Sequence, residues 1–256
     1  MSQFIYFVCV HGNKDILRKE IEFRFPDLTP SFAQKDFLTF KNTGTELSPK
    51  EIKGMRPAYA LSWGESVGEL SKDIVEEKLK VQDIDFELPE KSPSRNYLKI
   101  AQACKRFDIK PNKKKNWIEF GSAPGGASLY LLENFGKVTG VDPAVMEDIC
   151  LDNSNFNHLC KPIQDLSQEE LPDHDIHYIS SDLNINPKQG VKELIRLSKK
   201  YHTIEGVFYS IKFIKDSQLK EMTNFIGAFE AMAYKRVGFM QLSSHKRETL
   251  LFAFKN

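Results

Sequence analysis

The sequence predicts an α/β protein in two parts. Residues 1–85 form a small α/β module of ferredoxin-like pattern, and residues 86–256 form a doubly wound, Rossmann-like sheet closed by an antiparallel hairpin. Three observations carry this. The apolar runs Trp117–Phe120 and Val138–Val141 flank the turn Gly121-Ser122-Ala123-Pro124-Gly125-Gly126 and a helix-like segment, a β-loop-α-β unit ending on Asp142. From Ser94 onward, strand and helix patterns alternate. The last two apolar runs, Arg236–Leu242 and Thr249–Phe254, follow one another with no helix between them.

In chain order, Phe4–Val10 reads as a strand and Lys14–Phe25 as an amphipathic helix, with Ile16, Leu17, Ile21 and Phe25 at helical spacing. Phe37–Phe40 and Ala58–Trp63 read as strands and Asp73–Leu79 as a helix. Residues 81–93, with acids and two prolines, read as a connector. Ser94 follows Pro93 and suits a helix N-cap before the apolar stripe Tyr97, Ile100, Cys104 and Phe107. Further strands are expected at Lys137–Val141, His158–Pro162, Ile176–Ser180 and Gly206–Ile211. Helices are expected near Ala127–Asn134, Lys188–Lys200 and Ser217–Tyr234.

At 256 residues with 41% hydrophobic content, the chain is long enough for two domains with buried cores. It lacks a run of about 18 apolar residues, so no membrane partner is expected. The early FIYFVCV run has no basic leader and reads as a strand rather than a signal peptide. Four cysteines without a Cys-x-x-Cys pair, and histidines without ligand spacing, imply a reducing cytoplasm and no metal site. Net charge is only +1, yet Lys91 to Lys115 holds nine basic residues against the single acid Asp108. Such a local patch can neutralise phosphates.

The glycine turn lets the backbone pass close to a ligand, and the helix after it offers free N–H groups. Asp142 suits a ribose diol, which presents two donors. The order Gly-x-x-x-Gly-Gly departs from the dinucleotide fingerprint. Pro124 cannot donate a hydrogen bond to a pyrophosphate. A less anionic nucleoside cofactor fits better, and S-adenosylmethionine (SAM) is the candidate. Asp165, after the strand ending in Lys-Pro-Ile-Gln, could accept the adenine amino group or cap a helix. Asn184 and Asn186 could touch either ligand or shape a turn, and the turn is the favoured reading.

The segment Ser122-Ala123-Pro124-Gly125-Gly126-Ala127-Ser128 resembles the cofactor loop of the FtsJ-like ribose 2′-O-methyltransferases. Pro93 to Lys99 resembles that family's entry helix, and Ile179 to Asp182 its fourth-strand aspartate. Phe208 to Lys212 and His245 to Glu248 resemble its fifth-strand lysine and late glutamate. The resemblance covers residues 91–256 and is nearest to the RlmM-like subtype, which modifies a cytidine of large-subunit ribosomal RNA. Ala127 replaces that family's aromatic, and the chain is shorter than RlmM-like enzymes. The resemblance implies a class-I SAM-dependent methyltransferase, monomeric and acting on RNA in rRNA processing. It also implies an N-terminal accessory module that binds RNA.

Its chemistry would be an in-line displacement in which a ribose 2′-hydroxyl loses a proton. By the resemblance, Lys212 is the general base within a cluster of Lys99, Asp182, Lys212 and Glu248. Gly121 to Gly126, Asp142, Asp165 and Asp182 would hold the cofactor. Arg95, Lys99, Lys105 and Arg106 would hold RNA phosphates. Two other functions are open: a non-catalytic SAM- or RNA-binding assembly scaffold, and a methyltransferase acting on a small molecule or protein.

Overall fold

The computed structural model describes residues 2–66, 86–213 and 216–256, and the helix expected at Asp73–Leu79 lies outside them. The chain forms two compact units. One comprises Met1–Asp85 with Phe213–Leu219 and Phe239–Leu250; the other comprises Phe86–Lys212, Lys220–Gly238 and Leu251–Asn256.

The first unit runs β1 (Phe4–Val8), α1 (Lys14–Arg24), β2 (Leu28–Gln34), β3 (Phe37–Asn42), α2 (Pro49–Gly54) and β4 (Ser62–Glu65). The sheet order is β2-β3-β1-β4 and every pairing is antiparallel, which is the split β-α-β arrangement of ferredoxin-like modules. Two elements were not legible beforehand. β2 is an exposed edge strand interrupted by Pro30, where the register shifts; edge placement tolerates the missing N–H. α2 begins at a capping box in which Ser48 and Glu51 satisfy each other's backbone.

The strand expected at Ala58–Trp63 begins only at Ser62. The reason is Glu20, wholly buried on α1, whose carboxylate accepts the backbone N–H groups of Ala58 at 2.7 Å and Tyr59 at 3.0 Å. Those donors are thereby withdrawn from a sheet ladder. Arg24, one turn on, neutralises Glu20 at 2.5 Å. The same unit ties in the late segment: Thr249 donates to the Ala58 carbonyl at 2.8 Å, and Asn13 reaches both Gln241 and the Arg247 backbone.

The second unit contains α3 (Asn96–Arg106), β5 (Trp117–Phe120), α4 (Gly126–Asn134), β6 (Val138–Val141), α5 (Asp148–Leu151) and β7 (Phe156–Leu159). It continues with β8 (Tyr178–Ser181), α6 (Pro187–Ser198), β9 (Gly206–Ile211) and α7 (Met222–Glu230). Its seven-stranded sheet has the order β10-β11-β9-β8-β5-β6-β7, where β10 is Arg236–Met240 and β11 is Thr249–Phe254. The pairs β5–β6, β6–β7, β5–β8 and β8–β9 are parallel. β5, β6 and β9 are buried throughout, as strands covered on both faces must be. Trp117 fixes the centre, stacked on Tyr178 at 4.7 Å and on Phe208 at 6.1 Å between ring centroids.

Three expectations shift. α3 starts after Arg95 rather than at a Ser94 cap; Ser94 Oγ accepts from Asn96 N at 3.3 Å while its backbone packs on the glycine loop. β7 lies two residues earlier than expected, because Lys161 N turns back to the Leu159 carbonyl and Pro162 has no N–H to pair. The helix expected at Ser217–Tyr234 is a 3-10 segment, Asp216–Glu221, followed by α7. Among the described residues, no helix is long and apolar enough to cross a membrane, and no cluster of three His, Cys, Asp or Glu could hold a metal ion.

Candidate active site

The chain leaves β5 toward β6 on one side and reaches β8 on the other, so the loops after these strands diverge and open a crevice at their carboxyl ends. There a cleft of about 430 Å³ is lined by Gly121 and Ala123 after β5, Asp142 after β6, Asp182 after β8 and Lys212 after β9. Asn96 and Lys99 face it from the first turns of α3.

The glycine loop is shaped by contacts that leave no room for a side chain. Gly121 and Gly125 have φ of +77° and +120°, conformations that favour glycine. A Cβ on Gly121 would fall 2.6 Å from the Asp182 carbonyl oxygen, and one on Gly126 would fall 2.2 Å from Ser94 Oγ. The loop therefore packs against both the β8 end and the start of α3. Asp142 holds it from below, accepting from Ala123 N at 3.1 Å and Ala144 N at 2.8 Å. Ser122 is buried against Met146, and the Pro124 carbonyl accepts from Glu147 N. The first turn of α4, from Gly126, supplies unsatisfied N–H groups beside the cleft.

The charged centre is a trio. Lys99 Nζ lies 2.8 Å from Asp182 Oδ2, and Lys212 Nζ lies 3.1 Å from Asp182 Oδ1. Lys212 also donates to Asn184 Oδ1 at 2.7 Å. Burial alone would raise the Asp182 carboxyl, but the two ammonium groups together outweigh it and hold it below the usual aspartate value. One carboxylate between two ammonium groups leaves the trio with a net charge of about +1.

The structure thus gathers Lys99, Asp182 and Lys212 with the glycine loop and Asp142. Glu248 lies in the other compact unit, 3% exposed, where its charge acts on Tyr59. Asp165 ends a 3-10 turn, exposed and outside the cleft lining; Ile163 and Gln164 of that turn line it instead. Arg95 and Arg106 are exposed and share a helical stripe with Lys99, whereas Lys105 lies over the Phe86 ring at 5.4 Å. Of the lysine run, Lys113 caps the carboxyl end of α4 through the Leu132 and Glu133 carbonyls, and Lys115 pairs with Glu205.

Three contributors were missed. Asn184 read as a turn former but holds Lys212, while Asn186 does cap α6. Asn96 lines the cleft one helical turn before Lys99. Glu119 is 2% exposed beneath the loop, accepts from Ser128 Oγ at 2.5 Å, and is pushed up to about 8 by burial. A carboxylate two residues before the first loop glycine, inside an otherwise apolar strand, was its available signal.

A positive-φ loop at the switch point and an acid closing the next strand are how an open α/β sheet receives a nucleoside-bearing ligand. The sequence comparison fixes the family: the model described as FtsJ-like methyltransferase matches residues 93–229, more than half of the chain, and the chain belongs to that family. It is accordingly a SAM-dependent methyltransferase. The cleft fits such a cofactor, since Gly121 and Ala123 of the loop line it together with Asp142, an acceptor suited to a ribose diol.

No curated protein matches the sequence. Among solved structures, a candidate hemolysin of Lactococcus lactis is 18% identical with a TM-score of 0.51, covering 65% of this chain and 90% of its own. A candidate ribosomal RNA methyltransferase of Plasmodium falciparum is 16% identical, covering 64% and 97%, with a TM-score of 0.49. A candidate methyltransferase of Streptococcus mutans, solved with SAH, is 13% identical, covering 60% and 96%, with a TM-score of 0.47. At 18% identity the likeness to the first of these is one of fold.

Proposed function

We propose that this protein methylates the ribose 2′-hydroxyl of RNA, with Lys212 as general base. The substrate proposed is large-subunit ribosomal RNA, modified in the manner of the RlmM-like subtype by a monomer in the cytoplasm. The observation that carries the reading is the single carboxylate of Asp182 bridging Lys99 and Lys212 inside the cleft beside the glycine loop.

SAM supplies an electrophilic methyl group when bound. The protein's part is to hold the acceptor hydroxyl and remove its proton. With Lys99 and Lys212 both charged, the trio carries one excess positive charge; losing the Lys212 proton leaves it neutral. Lys212 Nζ then has a lone pair for the hydroxyl proton, and Asn184 and Asp182 fix its direction. Lys99 stays charged against Asp182 Oδ2 and orients the acceptor through its phosphate or hydroxyl.

RNA is favoured over a small molecule by the cationic stripe of Arg95, Lys99 and Arg106, which begins at the cleft. Lys105 is proposed to add a phosphate contact, and residues 1–85 to add RNA-binding surface. For the cofactor, Gly121, Ser122, Ala123, Pro124, Gly125 and Gly126 are proposed to form the cradle. Asp142 is proposed to take the ribose, Asp182 to approach the methionyl end and Asp165 to take the adenine.

Incubation with labelled SAM and total ribosomal RNA, followed by mapping of 2′-O-methyl sites, tests the reading. Label at one ribose position, lost in Lys212→Ala while SAM still binds, is the expected result. Transfer to a base or to a protein acceptor would overturn it.

A further inference from the structure

A second cleft, of about 360 Å³, opens at the opposite end of the parallel strands and shares no lining residue with the first. Tyr178 begins β8, Arg236 begins β10, and Lys115 and Glu205 precede β5 and β9. The two clefts are thus separated by the strand length, roughly 13–20 Å for four to six residues.

Its wall combines aromatic rings with cations. Arg236 lays its guanidinium across Phe107 at 5.1 Å and Phe254 at 5.5 Å. Among the described residues, these rings are its partners and no carboxylate pairs with it. The acids on the wall are already engaged: Asp108 with Lys110, and Glu205 with both Lys115 and Tyr178. Asn112 and Asn256 add neutral amides. An exposed guanidinium held against two rings is preorganised: its N–H donors can meet a phosphate while the rings beside it offer a surface for a base. Lys110 and Lys115 of the Lys91–Lys115 stretch also line this cleft; Lys115 is held by Glu205, whereas the Lys110–Asp108 pair is 77% and 79% exposed and weak enough for Lys110 to turn to a phosphate.

We infer that this cleft is a second nucleotide-binding site, taking one residue of the RNA strand with its phosphate on Arg236 and Lys110. The inference rests on the RNA reading above and extends it to a contact remote from the modified ribose. Aromatic surface next to unpaired cation is the pairing that single-stranded nucleic acid uses: stacking is tolerant of sequence, and phosphate contact is salt-dependent.

Fluorescence anisotropy of a short labelled single-stranded RNA of mixed sequence, across a salt series, tests it in full-length Arg236→Gln and Lys110→Gln. Both positions are exposed, and unchanged SAM affinity checks that each variant folds. Arg236→Gln should weaken RNA roughly tenfold and Lys110→Gln less, each lowering the salt slope by about one unit. Affinity and slope equal to wild type in both variants would overturn the inference. Adenosine monophosphate, followed by amide shifts at Lys110, Asn112 and Arg236, distinguishes the source. Shifts by the mononucleotide with RNA binding unaltered in the variants would overturn the RNA assignment in favour of a free nucleotide. Failure of the ribose reading looks different: wild-type protein would bind RNA but leave no 2′-O-methyl mark on it.

Discussion

Lys99 Nζ sits 2.8 Å from Asp182 Oδ2, with the two side chains 15% and 11% exposed. The pair joins the first turns of α3 to the end of β8 and leaves the other carboxylate oxygen to Lys212 at 3.1 Å. Asp182→Asn keeps the shape and removes the charge. Methyl transfer should fall by at least two orders of magnitude, since both lysines lose their reference point. Stability should fall by about 1–3 kcal/mol, less than a fully buried pair would give. The Asp182 carboxyl is held below its ordinary value, so this stabilisation is present above about pH 4 and disappears as pH falls through the folded-state value. Urea denaturation of both proteins from neutral to acid pH should converge at the acid end. A constant gap would show that the carboxylate charge is not responsible.

Lys212→Arg separates charge from basicity. Arginine can keep the ion pair with Asp182 but cannot accept a proton at neutral pH. Transfer should be lost in Lys212→Arg as in Lys212→Ala, with SAM affinity changed by less than about 1 kcal/mol because the lysine acts on the acceptor. Single-turnover assays with calorimetric SAM titration check this. An active arginine variant would mean that orientation alone suffices.

Glu119 makes the loop's support pH-sensitive. Its carboxyl stands at about 8 in the folded chain against an ordinary 4.5. The folded state therefore holds a proton that the unfolded chain releases, and stability should decline as pH rises from about 4.5 to about 8. The integrated effect is on the order of a few kcal/mol. Glu119→Gln keeps a hydrogen-bonding partner for Ser128 without the ionisation. Thermal melts from pH 5 to 9 should be flatter for the variant than for wild type, and parallel curves would count against a raised Glu119.

Gly126→Ala tests the contact between the cofactor loop and α3. The new methyl group would lie 2.2 Å from Ser94 Oγ and 2.6 Å from the Ser94 carbonyl oxygen. The hydroxyl can rotate away but the carbonyl cannot, so α3 must shift. Destabilisation of about 1–3 kcal/mol is expected. Turnover should suffer more than SAM affinity, because α3 carries Lys99. Adding Ser94→Gly should restore only part of the loss. Full rescue would show the hydroxyl to be the whole obstacle.

Elements built on local periodicity were legible. β5, β9 and β11 have the bounds their apolar runs give, because each run is buried on both faces. The edge strand β2 was not, since six of its seven residues are exposed and its alternation is therefore absent. Nor was the loss of the strand at Ala58, because the competitor is a carboxylate on α1, thirty-eight residues away in sequence. Asn184 is the parallel case in the site: an Asn-x-Asn turn is common, and nothing local announces that one amide reaches Lys212.

By itself the sequence determined the β5-loop-α4-β6 unit, the strand-ending Asp142 and the alternation that makes a doubly wound sheet. These depend on residue size, backbone freedom and polarity at neighbouring positions. Only the tertiary structure decided that β8 follows β5 in the sheet, which brings Asp182 beside Gly121 and between two lysines. It alone decided that 213–219 and 239–250 pack with the first 85 residues, and that Arg236 lies on Phe107 and Phe254. The physical reason is that strand order and ion pairing join segments far apart in the chain, whose meeting is set by shared burial and by the pairing of charges that neither segment can satisfy alone.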